Sequence, residues 1–258
     1  MNPRAARLPS LLLALLVSLP ALAAEPPLSA TELVRRIDKR MSLQSDYKGT
    51  VRILERRKNG VENAYEIVVY RRDSTRDLLF MTTKPKILNG SGYLRIGKNL
   101  WEYDPTVGQW TRTTVRANIS GTFTCEADFD RSRLSEDYDA KDEGEETIDG
   151  TKYRKIFLSL KPGVEQPFPL LRIWVDSDLN IVKRVGYAPS GRTLRSDYIR
   201  SYQRLKDPVS GEIVYHYKEV LEVEEEEGTQ MLLKYDEVVL QPLSPNMFTK
   251  SFLEQRAR

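Results

Sequence analysis

From Asp46 to Leu240 the chain runs as a succession of short segments in which apolar and polar side chains alternate, and turn signals break it at brief intervals. Period two is the spacing of a strand with one buried face, because successive side chains leave the backbone on opposite sides. Gaps this short cannot hold the dozen or more residues of a parallel crossover, so neighbouring strands must pair antiparallel. The pattern predicts strands over 47–55, 77–83, 93–96, 100–103 and 109–113, with Tyr65, Ile67 and Val69 alternating on a return strand before the second of these. After an acidic, less regular stretch over 125–150, where a short helix is expected around Leu134 and Tyr138, strands resume over 153–160, 170–176, 181–187, 193–205, 213–223 and 231–240. Asn59-Gly60 is a hairpin signal, since Asn-Gly tolerates the positive φ angles of a type I′ turn. Ser190-Gly191, Ser210-Gly211 and Glu227-Gly228 mark later turns.

Helices are few. Ser29 and Glu32 stand in the S-x-x-E spacing of a capping box, and Leu33, Val34, Ile37 and Met41 then recur on one face. The tail from 245 to 258 is expected to hold a last short helix. No fixed-period repeat and no low-complexity linker divides the chain, so residues 25–258 are expected to form one domain. The fold class is mainly β (α+β), a curled sheet or partial barrel with helical cover.

The first residues read differently. Arg4 and Arg7 precede an apolar run over 8–19, and Ala21-Leu22-Ala23-Ala24 supplies small residues for cleavage. This is the layout of a secretory signal over 1–24. A membrane anchor is the competing reading, but the run falls short of the roughly 20 residues that span a bilayer. No cysteine follows the cleavage site, so a soluble, non-acylated periplasmic protein is expected. Removing Arg4 and Arg7 from the 40 basic residues leaves a near balance with the 37 acidic ones, which argues against nucleic acid as the main partner. The single cysteine, Cys125, excludes an intrachain disulfide.

No catalytic constellation assembles from the sequence. His216 is the one histidine, flanked by Tyr215 and Tyr217 in a strand-like run, and any Ser–His or Cys–His pair would have to use it. Asp176-Ser177-Asp178-Leu179-Asn180 opens like a calcium loop. Ile181 then stands where the sharp turn needs Gly, and Tyr187 where the loop needs Glu, so the segment reads as a β-turn. The acidic runs 142–146 and 224–227 read as solvated turns. Asn118-Ile119-Ser120 fits a glycosylation sequon of little meaning in a bacterial periplasm. Neither a phosphate loop nor a dinucleotide glycine motif occurs, and no cofactor is implied.

What remains is a supply of apolar and aromatic side chains on strands. Leu79 and Met81 share one face, as do Trp101 and Tyr103, and as do Leu171, Ile173 and Val175; Trp110 follows on the next strand. They could fill an ordinary core, or enclose a gap that holds a ligand within a curled sheet. Residues 92–105, GYLRIGKNLWEYDP, resemble the central motif of the LolA-like outer-membrane lipoprotein-sorting proteins, in which a strand ending Trp-x-Tyr runs into a Pro turn. The strand 109–112, the segment Asp128-Phe129-Asp130 to Glu136-Asp137, and the closing Pro245-Asn246-Met247-Phe248-Thr249 match that family's order. Residues 121–127 match it imperfectly.

The resemblance implies a strongly curved, unclosed antiparallel sheet with helices over its concave face, and acyl chains of a lipoprotein or lipid held beneath. It further implies a periplasmic carrier or chaperone that touches membranes transiently and serves a resistance-nodulation-division or ABC-type exporter. Expected cavity residues are Leu79, Met81, Trp101, Tyr103, Trp110 and Ile173, with Leu33, Val34 and Ile37 on the covering helix. The competing readings are a periplasmic sensor or adaptor on the same scaffold, and a hydrolase that would depend on His216 or on a carboxylate pair in the cavity.

Overall fold

The computed structural model describes residues 28–97, 99–114, 118–119 and 121–257. The expected signal over 1–24, and Ser120 of the sequon, lie outside the described residues.

Helix α1 (Ala30–Met41) opens the described chain, with its N-terminus capped by Ser29 Oγ, which accepts from the Glu32 amide. Only half of the predicted capping box forms: the Glu32 carboxylate turns outward to Arg35 and Arg36. Thirteen strands then make one sheet. In chain order they are β1 (Tyr47–Arg56), β2 (Glu62–Arg72), β3 (Asp77–Lys84), β4 (Gly92–Ile96), β5 (Asn99–Asp104) and β6 (Gln109–Thr113), followed, after the short helix α2 (Leu134–Asp137), by β7 (Tyr138–Ile148), β8 (Thr151–Leu160), β9 (Leu170–Val175), β10 (Ile181–Tyr187), β11 (Thr193–Lys206), β12 (Ile213–Glu224) and β13 (Gln230–Leu240). Helix α3 (Lys250–Arg256) is the last element among the described residues.

Every pairing is antiparallel, and every strand but two lies beside its neighbours in sequence. The exception organises the molecule. β1 pairs with β13 in mid-sheet, which leaves β6 and β7 as the free edges although they are consecutive in the chain. The sheet is a curved, unclosed one, and the connection between its edges has to cross its inner face. Ile119, Phe129 and Leu134 of that connection are buried in the main core, where the Phe129 ring lies 5.4 Å from Phe80.

Alternation puts different side chains on the two faces. In β3, Leu78 and Phe80 join the inner core with α1, whereas Leu79 and Met81 join a second cluster on the outer face. That outer cluster is covered by the tail: Leu243, Phe248 and Leu253 pack on Tyr70, Leu94 and Tyr103. The last helix therefore covers the outer face, while α1 and α2 cover the inner one.

Two local expectations change. The Asn59-Gly60 hairpin forms, but Asn59 keeps a negative φ and Gly60 alone is left-handed, at 83°. The Arg57 amide donates to Val61 O and the Gly60 amide to Arg57 O, so the loop is a three-residue turn with glycine at its left-handed position. The second change is β7. Its acidic run 142–146 is expected to be a solvated turn, yet it pairs with β8 around a bulge between Asp142 and Glu145. An edge strand has one free side, and charges with a bulge protect that side from pairing with other chains.

Candidate functional site

The inner face encloses a cavity of about 550 Å³. Register explains its apolar floor: Ile199 of β11 stands opposite Val220 of β12, and Val69 of β2, Leu171 of β9 and Ile181 of β10 carry the same surface round the curve. Aromatic rings make one wall. His216 stacks on Tyr47 at 5.2 Å and meets Tyr235 edge-on at 5.1 Å. Its Nδ1 lies 2.6 Å from Tyr217 O, and burial, reinforced by the charge of Arg71, lowers its pKa to about 3. A neutral ring packed on that carbonyl matches the expected sheet residue.

The crossing segment forms the roof. Asp38 of α1, itself buried, accepts from the amides of Leu134 and Ser135 and from both hydroxyls of Ser132 and Ser135. This clasp fixes α2 against α1. Beyond it, Tyr138 donates to Phe168 O and Gln166 to Asp137, closing one side with the 163–168 loop.

The roof is tied to both halves of the sheet by ion pairs that sequence reasoning missed. Glu126 and Asp130 bind Arg95 of β4, while Asp128 between them binds Arg195 of β11 and Arg184 of β10. Arg71 of β2 pairs with Asp73 at 2.7 Å, and Arg184 with Asp197 at 2.6 Å. Arg131 and Arg133 reach Glu136, and Arg133 also reaches Asp137. Continued alternation was the available signal: Arg71 follows Val69 in phase, and Asp197 precedes Ile199.

Three carboxyl groups, Asp128, Asp197 and Glu222, thus share two guanidiniums in a buried site. Burial alone would raise Asp128, but Arg195 overcomes it and holds this group well below the usual carboxylate range. Glu222 stands 3.8 Å from Arg195, too far for a hydrogen bond, so burial prevails and raises its pKa to about 8. Glu126 is likewise raised to about 7 by burial, against the pull of Arg95. A carboxyl whose native pKa is raised contributes stability below its unfolded value of about 4.5, and loses it as pH rises through the native value. Thermal stability should therefore fall between pH 5 and pH 8.5. Glu222→Gln, fixed in the neutral form, should flatten part of that fall; an equally steep profile in the variant would contradict the assignment.

None of the six expected cavity residues lines this cavity. Leu79, Met81, Tyr103 and Trp110 lie in or against the outer cluster, with Tyr103 and Trp110 4.9 Å apart. Trp101 shares their face, half-buried under the Lys250 ammonium 3.6 Å away. Ile173 is on the inner face, but is fully buried in the core beside Leu171, which does line the cavity. The physical reason is period two: a phase error of one residue carries a whole strand to the other face. Leu33, Val34 and Ile37 are buried in the inner core under α1, and the helix reaches the cavity only through Met41, a turn later. The Asp176 loop is a turn, its carboxylate accepting from the amides of Asp178 and Asn180.

Known proteins share this architecture. A family model described as an uncharacterized protein matches residues 74–255. A LolA-superfamily protein from Nitrosomonas europaea superposes with a TM-score of 0.73 at 22% identity, over 88% of this chain and 100% of its own. A proposed outer-membrane lipoprotein-sorting protein domain from Vibrio parahaemolyticus gives 0.73 at 16% identity, over 87% and 98%. At these identities the likeness is one of fold. Among curated proteins no match is found.

Proposed function

Taking as premise that the chain belongs to the uncharacterized family matched over 74–255 and has the LolA-superfamily fold, we propose that it is a periplasmic, non-enzymatic carrier for the acyl chain of a lipoprotein or lipid. The observation that carries the reading is the inner-face cavity. Its volume falls in the range of small-molecule sites, and Val69, Leu171, Ile181, Ile199 and Val220 give its floor apolar patches beside the charged Arg71, Arg184, Asp197 and Glu222. A chain laid along Leu171, Ile181, Ile199 and Val220 gains about 0.8 kcal/mol for each CH₂ removed from water. Binding of this kind needs no bond made or broken, and release to an inner-membrane exporter or an outer-membrane acceptor needs only a roof able to part from the sheet. The expected signal over 1–24 supports a periplasmic location for the carrier.

Titration with a fluorescent fatty acid tests the reading. The wild-type protein should bind it, and Ile199→Trp or Val220→Phe, each of which fills the floor, should weaken binding at least about tenfold. Tyr198→Trp, on the other face of the same strand, should leave it unchanged. No binding, or binding indifferent to both floor variants, would reject the cavity as the site.

A further inference from the structure

Among the described residues six arginines line the cavity, and five of them, Arg71, Arg95, Arg131, Arg133 and Arg184, each face a carboxylate. Arg76 differs. Among the described residues its guanidinium has no carboxylate partner, and it stands exposed at the cavity edge. Its backbone is left-handed, with φ at 62°, in the turn between β2 and β3. A long side chain is costly in that conformation, and glycine would occupy it freely. The turn holds Arg76 there firmly. Its carbonyl accepts from Arg95 Nε at 2.7 Å, and Arg95 is the residue that anchors Glu126 and Asp130 of the roof. A strained position kept by an unpaired cation beside a cavity points to a task outside the folded chain, because strain that serves only the turn would be relieved by glycine.

Resting on the carrier reading, we infer that Arg76 reads an oxyanion, a phosphate or carboxylate, on the head of the bound amphiphile, so that the carrier selects anionic over neutral cargo. The apolar floor takes the chain, and the free guanidinium at the edge takes the charge in a fork of N–H donors that matches an oxyanion in geometry. The neighbouring arginines, already satisfied by Asp73, Asp130 and their fellows, would have to break an ion pair to do the same.

The test compares two lipids of equal chain length, lysophosphatidylglycerol and monoacylglycerol, on wild type, Arg76→Gln and Arg76→Gly. Wild type should bind the anionic lipid about tenfold more tightly, the scale of one charge-assisted pair at a partly exposed site. Both variants should bring the two affinities within about threefold, with monoacylglycerol affinity unchanged. Arg76→Gly should at the same time raise the melting temperature, which separates relief of strain from loss of the ligand. Glycerol 3-phosphate, carrying the same oxyanion without the chain, should compete only weakly. Strong competition by it would overturn the lipid assignment in favour of a free phosphate compound. Equal affinity for the two lipids in wild type, or a preference that survives in Arg76→Gln, would overturn the role of Arg76. Binding of neither lipid would instead remove the carrier reading and this inference with it.

Discussion

Replacing Arg195 with Met should cost the fold about 3–5 kcal/mol, the scale of breaking a buried ion pair on one side only. The guanidinium is almost wholly enclosed and donates to Asp128, with Asp197 and Glu222 beside it. Methionine keeps an unbranched apolar stem of similar reach to the arginine's methylenes and removes the guanidinium with its charge and its donors. Two carboxylates then stay in a buried site with Arg184 alone for both, and desolvation is less fully offset. The roof should suffer first, because Asp128 ties residues 126–130 to β11 through this contact. Urea denaturation should show the loss, and adding Asp128→Asn to Arg195→Met should recover part of it. A melting temperature within a degree or two of wild type would mean that the network is ornamental.

A comparable loss, about 3–5 kcal/mol, is expected from Leu253→Asp on the opposite face. Leu253 is fully buried among Leu79, Met81, Leu94 and Tyr103, and lies so close to Gly92 that a Cβ there would touch it at 3.0 Å. α3 has seven residues, too few to hold helical form without packing. A carboxylate at 253 should therefore undock the whole tail. Trp110 would lose its Nε1 hydrogen bond to Glu254, and Trp101 its cover by Lys250, so tryptophan emission should shift to the red below the unfolding transition. Acyl-chain binding should survive in whatever fraction stays folded, since the cavity is on the other face. Loss of binding in step with the emission shift would place the ligand under α3 instead.

Much of this fold is legible in period two. Twelve of the thirteen strands stand out because at least one face of each is apolar; their number and short turns give a curled sheet or partial barrel, and the resemblance carried by residues 92–105 supplies its unclosed, strongly curved form. β7 does not stand out, because an edge strand with charges on its free side looks like a loop. The site is less legible, for two reasons. Both faces of β2–β5 are apolar, since α3 covers one as α1 covers the other, so Leu79 and Phe80 are equally good inner residues until the tail is placed. And the cavity is lined in part by ions whose partners are distant in sequence. Nothing local joins Asp128 to Arg195 or Glu126 to Arg95; only the β1–β13 pairing, which moves the sheet's opening to β6 and β7, brings the crossing segment over those strands.

The central claim is that the ligand lies on the inner face, and paramagnetic broadening by a spin-labelled fatty acid tests it most directly. On methyl-labelled protein, the signals of Leu171, Ile181, Ile199 and Val220 should broaden at substoichiometric ligand, while those of Leu79, Leu94 and Leu253 stay sharp. Broadening confined to the second set, or spread evenly over both, would contradict the account.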